Sequence, residues 1–68
     1  MRKMTGKYIV CIDEPSGFTK PAKQVLILDE GWIELTDDKG KTESYPERRV
    51  CKIMEVSEKT YNSFLEFT

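Results

Sequence analysis

The sequence has no histidine, only two cysteines and no long hydrophobic run. Without histidine, neither a Ser-His-Asp triad nor a Cys-His pair is possible, and the lysines and carboxylates show no catalytic spacing. Cys11 and Cys51 form no C-x-x-C pair, so the paired ligands of a zinc site are missing. No apolar stretch approaches the ~20 residues of a membrane-spanning helix. We therefore predict no enzyme activity, no catalytic residue, no metal or other cofactor and no membrane partner.

An excess of charge of one sign is also missing. Eleven basic residues stand against 12 acidic ones, which leaves a net charge of −1. Dedicated nucleic-acid binders are usually strongly basic, because phosphate contacts dominate their affinity. The two cysteines lie inside apolar segments and no secretory signal is evident, which favours reduced thiols in the cytosol. We expect a cytoplasmic protein, for which the charge balance disfavours a nucleic-acid partner without excluding one at a local basic patch.

The length and composition indicate one small domain over residues 1–68. Hydrophobic residues make up 38% of the chain and charged residues 34%, which suits a globular domain with a thin core. A domain of this size hides only roughly 60% of the surface that its unfolded chain exposes. Because disulfides and metals are not expected, self-association is the remaining way to add buried area.

Five segments have the β-branched and aromatic composition of strands, and turn residues separate them. They cover residues 7–13, 24–28, 32–36, 41–45 and 50–56. The first is a continuous apolar run, typical of a strand that is buried on both faces. The polar residues 1–6 are expected to fray, and residues 14–21, which include Pro15 and Pro21, are expected to form a loop.

Two tight turns set the pairing of the middle strands. Gly31 and Gly40 each stand where a type I turn with a left-handed bulge residue requires glycine. The first turn pairs Ile27 with Ile33, and the second pairs Ile33 with Tyr45. A slip of one residue would invert every side chain, and the two registers agree on the buried face. The predicted core face carries Val25, Ile27, Ile33, Leu35 and Tyr45.

The C-terminal segment favours a short helix. Ser57 is a suitable N-cap, and Tyr61, Phe64 and Leu65 recur at helical spacing. A sixth strand is the alternative. The complete pattern predicts a mostly-β fold with five short strands in a small barrel or a rolled antiparallel sheet. In strand count and hairpin length it resembles SH3-like and Sm-like barrels.

The face opposite the predicted core carries the main candidate binding site, because one end of it is apolar. Exposed apolar patches mark interaction sites, and tryptophan is enriched at binding hot spots. Phe18, in the predicted loop, is a further candidate contact, although it would equally suit a plug for the end of a barrel. The apolar end of the outer face consists of Leu26, Leu28 and Trp32. An alternative is that this end is covered by the C-terminal Tyr61, Phe64, Leu65 and Phe67.

A local basic patch supports a second hypothesis. Small β-barrels can bind nucleic acid through a basic face that bears aromatic residues, and here that face would consist of Arg48, Arg49, Lys52 and Tyr45. A solvated, charge-balanced edge that discourages aggregation is the alternative interpretation. We predict a protein-interaction module that acts as a regulator, an inhibitor or an assembly subunit. A nucleic-acid-binding barrel is the runner-up, and a self-associating structural protein, a homo-oligomer, is the third hypothesis.

Overall fold

In the computed structural model, which describes residues 1–66, five strands are followed by one helix. A single turn of 3-10 helix, Glu47–Arg49, joins the last two strands. The strands are β1 (Arg2–Ile12), β2 (Phe18–Ile27), β3 (Trp32–Thr36), β4 (Thr42–Pro46) and β5 (Val50–Glu55), and the helix is α1 (Glu58–Glu66).

All five strands form one antiparallel sheet in the order β4-β3-β2-β1-β5. The predicted mostly-β fold with a short C-terminal helix is therefore confirmed. Closure of the sheet into a barrel is not confirmed, because β4 and β5 remain the two edges of an open sheet within residues 1–66. The sheet is nevertheless rolled: Phe18, on the first half of β2, places its ring centroid 6.2 Å from that of Tyr45, two strands away.

Both hairpins have the register that the turn glycines predicted. Ile33 pairs with Ile27 on one side and with Tyr45 on the other. Gly31 and Gly40 have φ values of 87° and 83°, the left-handed region that glycine enters without the steric cost of a Cβ. In the second turn, Asp37 also accepts hydrogen bonds on Oδ1 from the backbone N–H groups of Lys39 and Lys41, each at 2.9 Å.

The core lies on the inner side of the rolled sheet. Val10, Ile12, Ala22 and Val25 are completely buried there, and the same cluster also contains Tyr8, Ile33, Leu35 and Tyr45. The predicted core face is thus confirmed, with Ile27 partly buried against it. The first strand is buried on both faces from Tyr8 to Ile12, as its continuous apolar run predicted.

The prediction that residues 1–6 fray differs from the structure, because β1 begins at Arg2. Residues 2–5 pair with β2, and Met4 lies opposite Val25 and packs against the core. Gly6 and Lys7 then face a single residue, Lys23, in a β-bulge. A bulge bends its strand and increases its twist. The bend allows β1 to pair with β2 along both halves of the rolled sheet.

The predicted loop over residues 14–21 is shorter in the structure, because β2 begins at Phe18. Residues 18–21 pair with the second half of β1, from Ile9 to Ile12. Pro21 lies within this strand opposite Ile9. The long apolar run of β1 provides the pairing partner that these local residues do not predict by themselves.

The helix α1 starts at the predicted cap and packs against β1 and β2. The Ser57 Oγ accepts a hydrogen bond of 3.2 Å from the backbone N–H of Thr60. Tyr61 is the anchor of the helix, since only 1% of its surface is exposed. The predicted helix is therefore confirmed over Glu58–Glu66, and the alternative of a sixth strand is wrong for these residues.

Candidate functional site

The outer face of β2, β3 and β4 brings together an apolar strip, which we define as Leu26, Leu28, Trp32 and Pro46. Trp32 pairs with Pro46 across the β3–β4 ladder, and the backbone N–H of Leu28 donates to the carbonyl of Trp32 at 2.8 Å. Trp32 is 45% exposed, while the other three residues are half-buried. The three predicted residues, Leu26, Leu28 and Trp32, thus lie together on this face, next to Pro46.

The described part of the C-terminal segment leaves Trp32 exposed. Tyr61 lies within range of the charges of Asp38 and Asp37, which follow the end of β3. Trp32 lies at the start of that strand. At about 3.3 Å per residue, it is roughly 15 Å from Asp37 along the strand. The helix therefore anchors near the opposite end of β3. Phe67, the last residue of the alternative cover, lies outside the described residues.

Phe18 belongs to a different surface from the apolar strip. It pairs with Ile12 at the start of β2 and is 47% exposed. Its ring is tilted by 59° against the ring of Tyr45, which belongs to the core cluster. Phe18 therefore lies at the rim of the core side, whereas Trp32 lies on the outer side.

The four residues of the basic hypothesis do not share one open surface. Tyr45 is only 8% exposed, and the Arg49 guanidinium lies 5.6 Å from its ring centroid. Arg49 is also paired with Asp13: its Nε donates to both carboxylate oxygens at 3.0 Å, and its Nη2 donates to Oδ2 at 2.5 Å. Arg48 and Lys52 remain exposed. Half of the predicted patch is therefore occupied by contacts within the fold.

Two ion pairs around Tyr45 were not predicted from the sequence. Lys20 forms one with Glu43, and its Nζ lies 5.9 Å from the Tyr45 ring centroid. Arg49 and Asp13, which form the other, are 36 residues apart in the chain. No local spacing indicates these contacts, because both depend on how distant segments assemble. Asp13 lies beside Arg49 where β1 pairs with β5, and Lys20 meets Glu43 across the rolled sheet.

The Asp13–Arg49 pair makes stability depend on pH. The hydrogen bonds from Arg49 lower the pKa of Asp13 below its ordinary value and outweigh the opposing effect of desolvation. A carboxylate with a lowered pKa in the folded state stabilises the protein above its unfolded pKa, about 3.9 for aspartate. That contribution is lost as the pH falls through the lower folded pKa.

We expect Asp13→Asn to lower the free energy of unfolding at pH 7 and to have a much smaller effect near pH 2. Asparagine keeps the size of the side chain and tolerates the left-handed backbone at this position, where φ is 56°. Urea denaturation at the two pH values measures the difference, with the exposed turn substitution Glu30→Gln as the control. An equal loss at both pH values would show that the charge of Asp13 does not contribute.

Both cysteines are free, with Cys11 buried and Cys51 exposed. Burial is the main cause that raises the pKa of the Cys11 thiol, with the Glu14 contact adding to it. The Cys51 Sγ accepts a hydrogen bond of 3.3 Å from the backbone N–H of Glu14. Cys51 is the extra residue of a bulge in β5, between the pairs formed by Lys52 and Val50 with β1.

The described part of the chain offers a surface rather than a cavity. Residues 1–66 contain no detected pocket and no group of three or more acidic or cysteine side chains placed to hold a metal ion. Within the same residues, no helix has the length and apolar character needed to cross a membrane. When the chain is compared with known proteins, no family model, no curated protein and no solved structure matches it.

Proposed function

We propose that this domain is a protein-interaction module that binds a protein partner through the apolar strip, with Trp32 as the central contact. Such a module acts as a regulator, an inhibitor or a subunit of an assembly. The observation that carries the proposal is the position of Trp32, which is 45% exposed on the outer face of a paired strand. Large exposed apolar side chains on one face favour association with another surface.

The surroundings of Trp32 suit a binding hot spot. Its backbone is held between β2 and β4, so the ring is presented by a regular sheet. Leu28 and Pro46 flank it and are themselves half-buried. A preorganised aromatic side chain loses little conformational entropy on binding, and removal of its large apolar area from water favours the complex.

Nucleic-acid binding has weaker support from the same geometry. Stacking of bases requires an accessible aromatic face, and Tyr45 is instead part of the core cluster. Arg49 is neutralised by Asp13, which leaves Arg48 and Lys52 as exposed cations of the predicted patch. We therefore rank the protein partner above nucleic acid.

We expect Trp32→Ala to weaken binding to the partner by about thirty-fold or more, since hot-spot residues contribute about 2 kcal/mol or more and each 1.4 kcal/mol is tenfold. The protein should remain folded, because the side chain lies outside the core cluster. Affinity capture followed by mass spectrometry identifies partners, and isothermal titration calorimetry then compares the purified variants.

Phe18→Ala is the matched control, because it removes an aromatic side chain of similar exposure, 47% against 45%, from a different surface. Equal losses for the two variants would count against a site centred on Trp32. A destabilised Trp32→Ala protein that keeps every partner would contradict the proposal. So would a nucleic-acid complex of micromolar affinity that weakens steeply with salt, as phosphate contacts require.

A further inference from the structure

We propose that the partner of the apolar strip is a second copy of this chain, packed face to face about a two-fold axis that runs along β2. This inference rests on the proposed function, because it uses the same outer face and names its occupant. The argument depends on how the register arranges charged and apolar side chains on either side of β2.

The middle row of the outer face has opposite charges at equal distances from β2. Leu26 pairs with Lys3 on β1 and with Glu34 on β3. All three side chains point outward, because their neighbours Met4, Val25 and Ile33 belong to or pack against the core. Neighbouring strands lie about 4.8 Å apart, so the strands that carry Lys3 and Glu34 are about 10 Å apart within one sheet.

A two-fold axis along β2 exchanges the positions of β1 and β3 between the two copies. Lys3 of one copy then faces Glu34 of the other, and the reverse contact forms by symmetry, as in any isologous interface. Leu26 meets its own counterpart on the axis. This row of three residues across the sheet therefore supplies two identical ion pairs, with an apolar contact between them.

The next row places apolar residues in the same symmetric arrangement. Because Arg2 pairs with Ile27, one further step of the antiparallel register sets Met1 opposite Leu28, whose other neighbour is Trp32. Met1 and Trp32 are 76% and 45% exposed. The axis brings Met1 of one copy over Trp32 of the other, a sulfur–aromatic contact of the kind that proteins favour.

The row on the other side of Lys3 is polar, and the same two-fold rotation places it against the equivalent row of the second copy. Thr5 and Thr36 flank Gln24 on β1 and β3. The symmetry sets Thr5 against Thr36 and Gln24 against its counterpart, which are hydrogen-bonding pairs. Three consecutive rows are thus complementary to their own two-fold images, whereas an unrelated partner would require no such symmetry.

The test uses charge reversal at the two ends of the middle row. We expect the wild-type chain to dimerise in sedimentation equilibrium. Lys3→Glu and Glu34→Lys should each weaken self-association at least about tenfold, because each homodimer would then contain two like-charge contacts. An equimolar mixture of the two variants should form heterodimers about as readily as the wild type, because every contact is again between opposite charges.

Lys39→Glu is the control, since it makes the same charge change as Lys3→Glu at an exposed position in the β3–β4 turn. It should leave the dimer constant unchanged. Urea denaturation of each variant confirms that the chains are folded before association is compared.

The inference is overturned if the wild type stays monomeric up to about 1 mM, the weak end of specific affinity, or if mixing the two variants fails to restore association. A monomeric wild type whose binding to a different protein is lost on Trp32→Ala overturns the second copy and leaves the proposed function standing. A wild-type dimer that is insensitive to both the charge reversals and Trp32→Ala overturns both, since its interface lies elsewhere.

Discussion

Ile33→Ala is expected to lower the free energy of unfolding by about 2–5 kcal/mol, the usual cost of a large-to-small change in a packed core. Ile33 is 3% exposed and pairs on the core face with Ile27 and Tyr45. Ile33 belongs to the cluster of buried residues on the inner side of the sheet. Native proteins have free energies of unfolding of only about 5–15 kcal/mol, so the loss removes a large part of the total.

Urea denaturation followed by tryptophan fluorescence measures this effect, with Thr42→Ala as the control. Thr42 is exposed on the outer face, and its Oγ1 lies 3.0 Å from that of Thr36. An exposed cross-strand threonine pair contributes about 0.2–1 kcal/mol. If Thr42→Ala proved more costly than Ile33→Ala, the assignment of the two faces would be wrong.

Tyr61→Ala should cost about 3–5 kcal/mol, the range for removal of a buried aromatic side chain. Tyr61 is the anchor of α1, and its loss would leave the helix without the residue that fixes it to β1 and β2. Tyr61→Phe should behave in the opposite way. Within residues 1–66 the Tyr61 hydroxyl is buried and makes no hydrogen bond, so its removal should leave stability unchanged or raise it by about 1–3 kcal/mol.

The same hydroxyl predicts a difference at alkaline pH. Burial is the main cause that raises the pKa of Tyr61 above 10, and the charges of Asp38 and Asp37 add to it. A group with a raised pKa in the folded state contributes stability that is fully present below its unfolded pKa and is lost as the pH rises toward the folded value. Wild-type stability should therefore decline above about pH 10, where the unfolded tyrosine ionises.

Thermal denaturation of the wild type and both variants between pH 7 and pH 11 tests these expectations together. Tyr61→Phe should lose less stability than the wild type over the alkaline range, because it has no proton to release at this position. A phenylalanine variant as unstable as the alanine variant would show that the hydroxyl, rather than the ring, holds the helix in place.

The sequence was sufficient where the interactions are local. Gly31 and Gly40 adopt the left-handed conformation that each turn requires, and the turn geometry sets the pairing of Ile33 with Ile27 and Tyr45. Period-two alternation then decides which side chains face inward. The helix was foreseeable for the same reason, since Ser57 caps a segment whose apolar residues recur with helical spacing.

The candidate site was foreseeable only in part. The outward position of Leu26, Leu28 and Trp32 follows from the hairpin registers, and it is confirmed by the core on the opposite side. The position of Lys3 on this outer face could not be predicted from the sequence. Its segment is polar and lacks a strand pattern, so its place beside Leu26 depends on pairing with a strand more than 20 residues away.

Tertiary structure alone decided the extent of β1 and β2, the open edges of the sheet and the surroundings of Tyr45. Residues 2–5 and 18–21 become strands because a partner strand satisfies their backbone groups, which no local preference of those residues requires. The pair Asp13–Arg49 forms because β1 pairs with β5 next to it, and the pair Lys20–Glu43 forms because the sheet rolls. Turn chemistry and side-chain alternation act within a few residues and can therefore be predicted from the sequence. Contacts between distant strands depend on how the whole sheet assembles.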